Sequence, residues 1–454
     1  MTSAPDPQSI APPPPRPSWR EGWAVYLQRR VLIVLLLGFS SGLPLALSGS
    51  TLLVWMRESG VDLGTIGLFA LVGTPYTLKF LWAPLVDALH VPLFTRRFGR
   101  RRGWLVFSQL LLIVAILLLA LTDPARSPLF VALGALLVAA MSSTQDIVVD
   151  AFRVESLPES EQAAGMASYV AAYRIGMLVS TAGALFLVSA FEGTGLARSS
   201  AWMWGYVVMA AMVLIGTVTA LAATEPDQSA RAEAATSADS AFKRVTHAAV
   251  GAFSEFLVRK DALAALAFVV LYKFTDAFSG TMTAPFVIDL GFTRNDYAAI
   301  VKGVGLAATL IGGFAGGYVA RRYSLATSLW IGGVLQAIAN LSFSWLAFVG
   351  VNQWALAFAI TAENFTSAIG TVIFVAYLSA LCKNPLHTAT QYALLTALAA
   401  VGRTYLSSGA GYVAKATGWP LFFAICVVVA VPSLILLAWL QRRGHFEGLG
   451  TVRV

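Results

Sequence analysis

From Arg29 to Gln441 the chain repeats one pattern, an apolar run followed by a short polar break. Crossing a bilayer takes roughly 17–25 largely apolar residues. Twelve such runs lie at about 29–56, 63–89, 103–122, 128–150, 161–190, 201–222, 261–288, 294–319, 324–349, 353–382, 388–414 and 419–440. Lipid cannot satisfy backbone N–H and C=O groups, so runs of this length predict α-helices. Prolines crowd positions 5–17 and exclude a helix there. The longest polar, small-residue stretch, TEPDQSARAEAATSADS, follows the sixth run. The pattern therefore predicts a disordered tail (1–25), a six-helix bundle (26–222), a linker (223–260), a second six-helix bundle (261–441) and a short tail (442–454).

Composition agrees. Hydrophobic residues make up 57% of the 454 and charged ones only 12%, against about 25% in soluble domains. A soluble enzyme, a disordered protein and a disulfide scaffold are excluded. Cys382 and Cys426 lie in or beside apolar runs and read as small buried hydrophobes. The net charge of +8 would suit nucleic acid if it were clustered, but its distribution follows the spans. Of 31 Lys and Arg, 21 fall on the side shared by both termini, five opposite and five within spans. That bias places both termini in the cytoplasm, sets the basic loops against lipid headgroups and leaves no nucleic-acid partner.

The two halves also repeat. At an offset of 231, Ser48-Gly49-Ser50 falls on Ser279-Gly280-Thr281 and Gly60 on Gly291; at 226, Gly176 falls on Gly402, with Arg174 and Arg403 nearby. Parallel repeats about an axis along the membrane normal describe the major facilitator arrangement. The predicted fold class is thus an all-α membrane protein, with 12 transmembrane helices in two pseudo-symmetric six-helix bundles. After the second span, Asp87 and Gly99-Arg100-Arg101-Arg102-Gly103 resemble the signature loop of that superfamily. The expected role is a conformational latch, Asp87 with Arg100, Arg101 and Arg102 clamping the cytoplasmic ends of the bundles. Positive-inside anchoring is the alternative.

Ionisable groups within spans are costly and mark function by default. Near the midplane stand Arg174, Lys273, Asp276, Glu363 and Arg403; Lys79 and Lys302 add further cations, and Asp146 and Asp150 lie toward the cytoplasmic end of the fourth span. Lys273 and Asp276, three apart, share a helix face. They form either a self-neutralising pair or an anion-binding cation beside a proton-accepting carboxylate. Glu363 has no charged neighbour in sequence, so its partner is expected on another helix, Arg403 or Lys302. All four histidines fall in loops or tails, which leaves proton transfer to carboxylates: Asp276 and Glu363 first, then Asp146 and Asp150. The cation excess suits a cargo bearing carboxylates or phosphates. Tyr76, Tyr173, Trp82 and Phe278 could stack on sugar rings, or simply pack. Gly42-Leu43-Pro44, Gly73-Thr74-Pro75 and Ala83-Pro84 are expected helix breaks. No metal cluster, nucleophile–base pair or large catalytic loop supports an enzyme.

Several runs carry a narrower resemblance: Leu37–Leu47, Lys79–Asp87, Phe98–Trp104, Ser143–Ala151, Tyr173–Ser180, Leu271–Phe278, Glu363-Asn364 and Ala393–Arg403. In this order, over roughly residues 30–440, the chain resembles the AmpG-type muropeptide permeases of Gram-negative bacteria. The resemblance implies proton-driven import, across the inner membrane, of N-acetylglucosamine-1,6-anhydro-N-acetylmuramic acid with or without peptide. Such import feeds peptidoglycan recycling and, in some species, β-lactamase induction and antibiotic resistance. Substrate binding would fall to Lys79, Arg174, Lys273, Lys302, Arg403, Gln145, Asn364, Tyr76, Tyr173, Trp82 and Phe278. The proton gradient stands in for a cofactor, and a monomer is expected. Some members carry two further C-terminal spans, a departure that leaves the core mechanism in place. A carrier of the same fold for another anion, such as acetyl-coenzyme A, is the rival.

Overall fold

The computed structural model describes residues 24–226, 261–381 and 388–449. Most of the predicted linker and the N-terminal tail lie outside the described residues, as do Cys382, His247 and His387. Among the described residues, ten helices are long and apolar enough to span a membrane unaided: α1 (Arg29–Glu58), α3 (Arg100–Ala120), α4 (Pro128–Ser156), α5 (Ala164–Gly193), α6 (Arg198–Ala222), α7 (Ala262–Asp289), α8 (Arg294–Ala320), α9 (Leu325–Val349), α10 (Gln353–Leu381) and α12 (Trp419–Arg442). The second and eleventh spans complete the twelve in pieces. Span α2 (63–88) alternates α and 3-10 turns, and α11 runs Thr388–Thr404 and Ala410–Thr417 around a 3-10 turn. Large apolar side chains such as Phe314, Phe348 and Trp354 point outward, 83%, 77% and 86% exposed. On a soluble surface these would be a liability; here they meet lipid.

The repeat is built into the backbone. After α1, Gly60 takes φ +80°, its N–H bonds Arg57 O at 3.0 Å, and Val61 N bonds Met56 O at 3.1 Å. After α7, Gly291 takes φ +98°, bonding Ile288 O at 3.0 Å while Phe292 N reaches Val287 O at 3.3 Å. Both are the same left-handed glycine cap with a buried hydrophobe behind it. Two residues on, Asp62 caps α2 and Thr293 caps α8. The second glycine pair matches as well. A Cβ at Gly176 would strike Phe39 O on α1, and one at Gly402 would come within 2.9 Å of Val270 O on α7. Phe39 and Val270 are themselves 231 apart, so each half docks its fifth helix onto its first through one glycine. Gly38 and Gly42, four apart, bring α1 equally close to Tyr169 and Tyr173 of α5, the small-residue contact that lets membrane helices approach.

Two breaks differ from expectation. The first helix runs through Pro44 and turns instead at Ser48–Gly49. Proline removes one donor, whereas Gly42 is held in the α1–α5 contact and keeps its helical place. The eleventh span, expected to be continuous, breaks at Leu406–Gly409, where Ser407 and Ser408 turn their hydroxyls back on Arg403 O and Tyr405 O. Local side-chain bonding of this kind competes with the helical ladder. The breaks expected in α2 do occur, Pro75 and Pro84 each opening a new helical turn.

Where the halves meet, their helices are irregular. Segments of α1 beyond Gly49, α2 and α5 beyond Leu178 pack against α7, α8 and α11. There α5 and α8 carry π-helical segments, Val179–Gly183 and Tyr297–Val304, which pack on each other. These contacts cluster toward the end of the molecule bearing the loops after odd-numbered spans, called here the loop end. The opposite end, called the terminal end, carries the first and last described residues.

Candidate functional site

Between the halves lies a cavity of about 570 Å³, walled by α1, α2 and α5 on one side and by α7, α8, α10 and α11 on the other. Its charged lining is Arg174, Lys302, Arg403, Asp276 and Glu363, joined by Asn364 and Tyr76. Among the described residues, Arg174, Lys302, Arg403 and Glu363 have no ion-pair partner within 4 Å. Lys302 lies 5.4 Å from the Tyr297 ring centroid. Glu363 accepts a 2.9 Å bond from its neighbour Asn364, so the interhelix partner expected from Arg403 or Lys302 is not formed. The wall between these charges and the loop end is lined with small hydroxyl residues: Ser48, Ser50, Thr181, Thr281 and Thr283.

Lys273 and Asp276 do pair, at 2.7 Å. Asp276 also accepts from Ser367 at 2.8 Å, and Lys273 donates to Thr371 at 2.9 Å. The pair therefore staples α7 to α10 one turn from Glu363. Asp276 reaches the cavity wall while Lys273 stays behind it. The remaining expected site residues lie off the wall. Phe278 is 6% exposed and stacks on Phe422 at 5.5 Å. Trp82 donates to Thr144 at 3.2 Å, and Tyr173 packs on Tyr169 at 6.0 Å. Lys79 sits on the 3-10 turn of α2. Gln145 is fully buried, 3.4 Å from Ser41. Asp146 is 7% exposed with Oδ1 unbonded, and Asp150 pairs with Arg153 at 3.8 Å near the terminal end.

Of the expected latch, Arg100, Arg101 and Arg102 fall among the described residues. The Asp87 side chain lies outside the described residues. Arg101 grips Glu155 at 2.5 and 2.9 Å, with Arg100 beside it at 3.7 Å. Arg102 bonds the carbonyls of Ala220 and Leu221, and the backbone N–H groups of Arg101 and Arg102 bond Glu225 at 2.8 and 3.0 Å. These contacts tie α3 to α4 and α6.

Cross-half charges gather at the loop end, on residues that stand in the sequence where ordinary loop anchors would. Arg57 pairs with Asp289. Arg294, 8% exposed, donates to Glu58 at 2.5 Å and to Glu192 at 2.7 Å. Lys415 lies 3.6 Å from Asp62. Trp202 backs the cluster, donating to Glu58 at 3.3 Å and standing 5.7 Å from the Arg294 guanidinium. The usable signal was the repeat itself: Glu58 and Asp289 are 231 apart, each at the same helix end.

Two packed six-helix halves with unpaired charges buried between them define a membrane carrier. The sequence profile of the Major Facilitator Superfamily matches residues 34–405, and the chain belongs to that superfamily. Solved structures bear out the fold: a D-xylose-proton symporter aligns with TM-score 0.65 at 13% identity over 90% of this chain and 97% of its own. A POT family transporter in complex with 5-aminolevulinic acid aligns with 0.68 at 12% over 91% and 96%. Within the superfamily the chain belongs with the AmpG-type muropeptide permeases. It is 40% identical to the anhydromuropeptide permease of Escherichia coli K12 over 91% of this chain and 80% of that protein. It is 34% identical to AmpG 4 of Rickettsia felis over 92% and 98%. The chain is a transporter and not an enzyme.

Proposed function

We propose that the chain imports anhydro-muropeptides across the bacterial inner membrane by proton-coupled alternating access, as a monomer with both termini in the cytoplasm. The observation that carries this reading is the cavity: three cations without ion-pair partners among the described residues, on both halves, around one carboxylate held only by a neutral amide. Unpaired charge at mid-membrane is costly and is relieved when an anionic cargo brings its own carboxylates. Arg174, Lys302 and Arg403 take those carboxylates. Asn364 and Tyr76 meet the sugars, with the hydroxyl-lined wall beyond them. Glu363 takes the proton, while Asp276, neutralised by Lys273, holds α7 against α10. The cross-half contacts toward the loop end support reading this state as closed to the periplasm.

The test is uptake of labelled anhydro-disaccharide peptide into proteoliposomes. A pH gradient, acid outside, drives accumulation by the native protein, and coenzyme A thioesters do not compete. Glu363→Gln loses uphill accumulation, by about 100-fold, yet keeps cargo exchange. Accumulation that survives in Glu363→Gln removes the proton role.

A further inference from the structure

Arg294 opens α8 at the loop end, and the next turns of that helix, Tyr297, Val301, Lys302 and Gly305, are cavity wall. Its guanidinium is shared between two carboxylates of the other half, Glu58 and Glu192. A third nitrogen, Nη1, is buried without a partner. Separation of the halves at this end breaks both pairs, but with unequal consequences. On the N-terminal half, Glu192 keeps Arg198 at 3.3 Å and Glu58 keeps the Trp202 indole. On the C-terminal half, Asp296 is engaged by Thr293 and Gln353, and Asp289, which parts from Arg57, keeps the Trp419 indole at 3.2 Å. Opening therefore leaves a guanidinium fork unsatisfied at the mouth of the cavity, one turn above Tyr297. A fork of this geometry matches carboxylates in two-point fashion.

Building on the import reading, we propose that Arg294 is an outer capture site for cargo carboxylates, exchanged between the cargo when the loop end is open and Glu58 with Glu192 when it is closed. The two glutamates occupy the arginine as an anion would, so closing returns the cargo's carboxylate to Lys302, Arg174 and Arg403 deeper in the cavity. Each closure thus releases the cargo from its first contact.

The test compares KM for uptake of peptide-bearing and peptide-free anhydro-disaccharide, the first carrying more carboxylates. Arg294→Gln raises KM for the peptide-bearing cargo about tenfold and for the peptide-free form about twofold. The double variant Glu58→Gln/Glu192→Gln frees the arginine and moves the ratio the other way, lowering KM about fivefold for the peptide-bearing cargo alone. A seal with no capture role shifts both cargoes equally, and lowers KM in Arg294→Gln as well; either outcome overturns the proposal. Should Arg294→Gln fail to fold, the cargo ratio in the double variant decides alone. Absence of any muropeptide uptake by the native protein would instead defeat the import reading.

Discussion

At the loop end, charged side chains reach from one half of the molecule to the other. At the terminal end, the ion pairs seen among the described residues lie within one half. Arg294, Arg57 and Lys415 join the halves, whereas Arg101 and Arg102 bind Glu155, Glu225 and the end of α6, which belong to their own N-terminal bundle. The same chemistry serves two purposes. An ion pair within a bundle stabilises a body that moves as a unit. One between bundles sets how readily the bodies part, and its loss shifts populations rather than unfolding anything. The cavity sits between these regimes, bordered by the broken α2 and α11 and the π-helical stretches of α5 and α8. Irregular turns of this kind often mark hinges and functional sites.

The strongest way to break the comparison is to lock the halves together covalently beside the cavity. Thr77 and Thr404 face each other across the halves, hydroxyls 3.0 Å apart. In a chain with Cys382 and Cys426 replaced by alanine, Thr77→Cys/Thr404→Cys should oxidise readily. Uptake should then fall more than 100-fold and return on reduction. Undiminished transport by the cross-linked protein would show that the halves need not separate along α2 and α11.

A subtler contrast uses one substitution at each end. Glu155→Gln strips Arg101, 2% exposed, of a charged partner and should cost about 1–3 kcal/mol of thermal stability. It should leave the reach of an external, membrane-impermeant maleimide to a cavity cysteine at Thr281 unchanged. Asp289→Asn removes one cross-half pair worth on the order of 1 kcal/mol. It should speed that labelling about fivefold with little change in melting temperature. Exchanged outcomes, stability lost at the loop end and labelling altered from the terminal end, would sink the distinction.

Which of these features the sequence announces depends on how local their cause is. Gly60, Gly176, Gly291 and Gly402 announce the repeat because a left-handed cap and a close helix contact each require a missing side chain. Arg174, Lys302, Glu363 and Arg403 stand out because a charge far from either end of an apolar run has few places to go. Facing is harder to read. Phe278 and Gln145 lie within a turn or so of charged span residues, yet helix neighbours invisible in one sequence turn them into the core. The cross-half pairs are the least legible. Arg57 and Arg294 sit where ordinary loop anchors would, and only the approach of two bundles gives them Asp289, Glu58 and Glu192. The arginine loop is legible only in part: Arg100, Arg101 and Arg102 are plain in the sequence, but Glu155 and the end of α6 come to them only through the fold.

The smallest effect belongs to the outermost cross-half pair, Lys415 with Asp62, which are 63% and 50% exposed. An exposed pair contributes about 0–1 kcal/mol, so Lys415→Ala should change neither labelling nor stability measurably. Asp62 has a second task within its own half: it caps α2, accepting from Gly64 N at 3.1 Å, Thr65 N at 3.3 Å and the Thr65 hydroxyl at 2.6 Å. The hydroxyl bond, chiefly, holds its carboxyl below the usual carboxylate range. Asp62→Ala should therefore cost about 1 kcal/mol by loss of the cap, while Asp62→Asn, which still caps, should cost much less. With the native pKa depressed, the charge-dependent part of the stabilisation is present above the ordinary carboxylate value and disappears as pH falls through the lowered one. The melting-temperature gap between wild type and Asp62→Asn should accordingly close in acid. A gap that persists there, or a Lys415→Ala variant as destabilised as Asp62→Ala, would mean that even this exposed contact belongs to the seal rather than to the helix it caps.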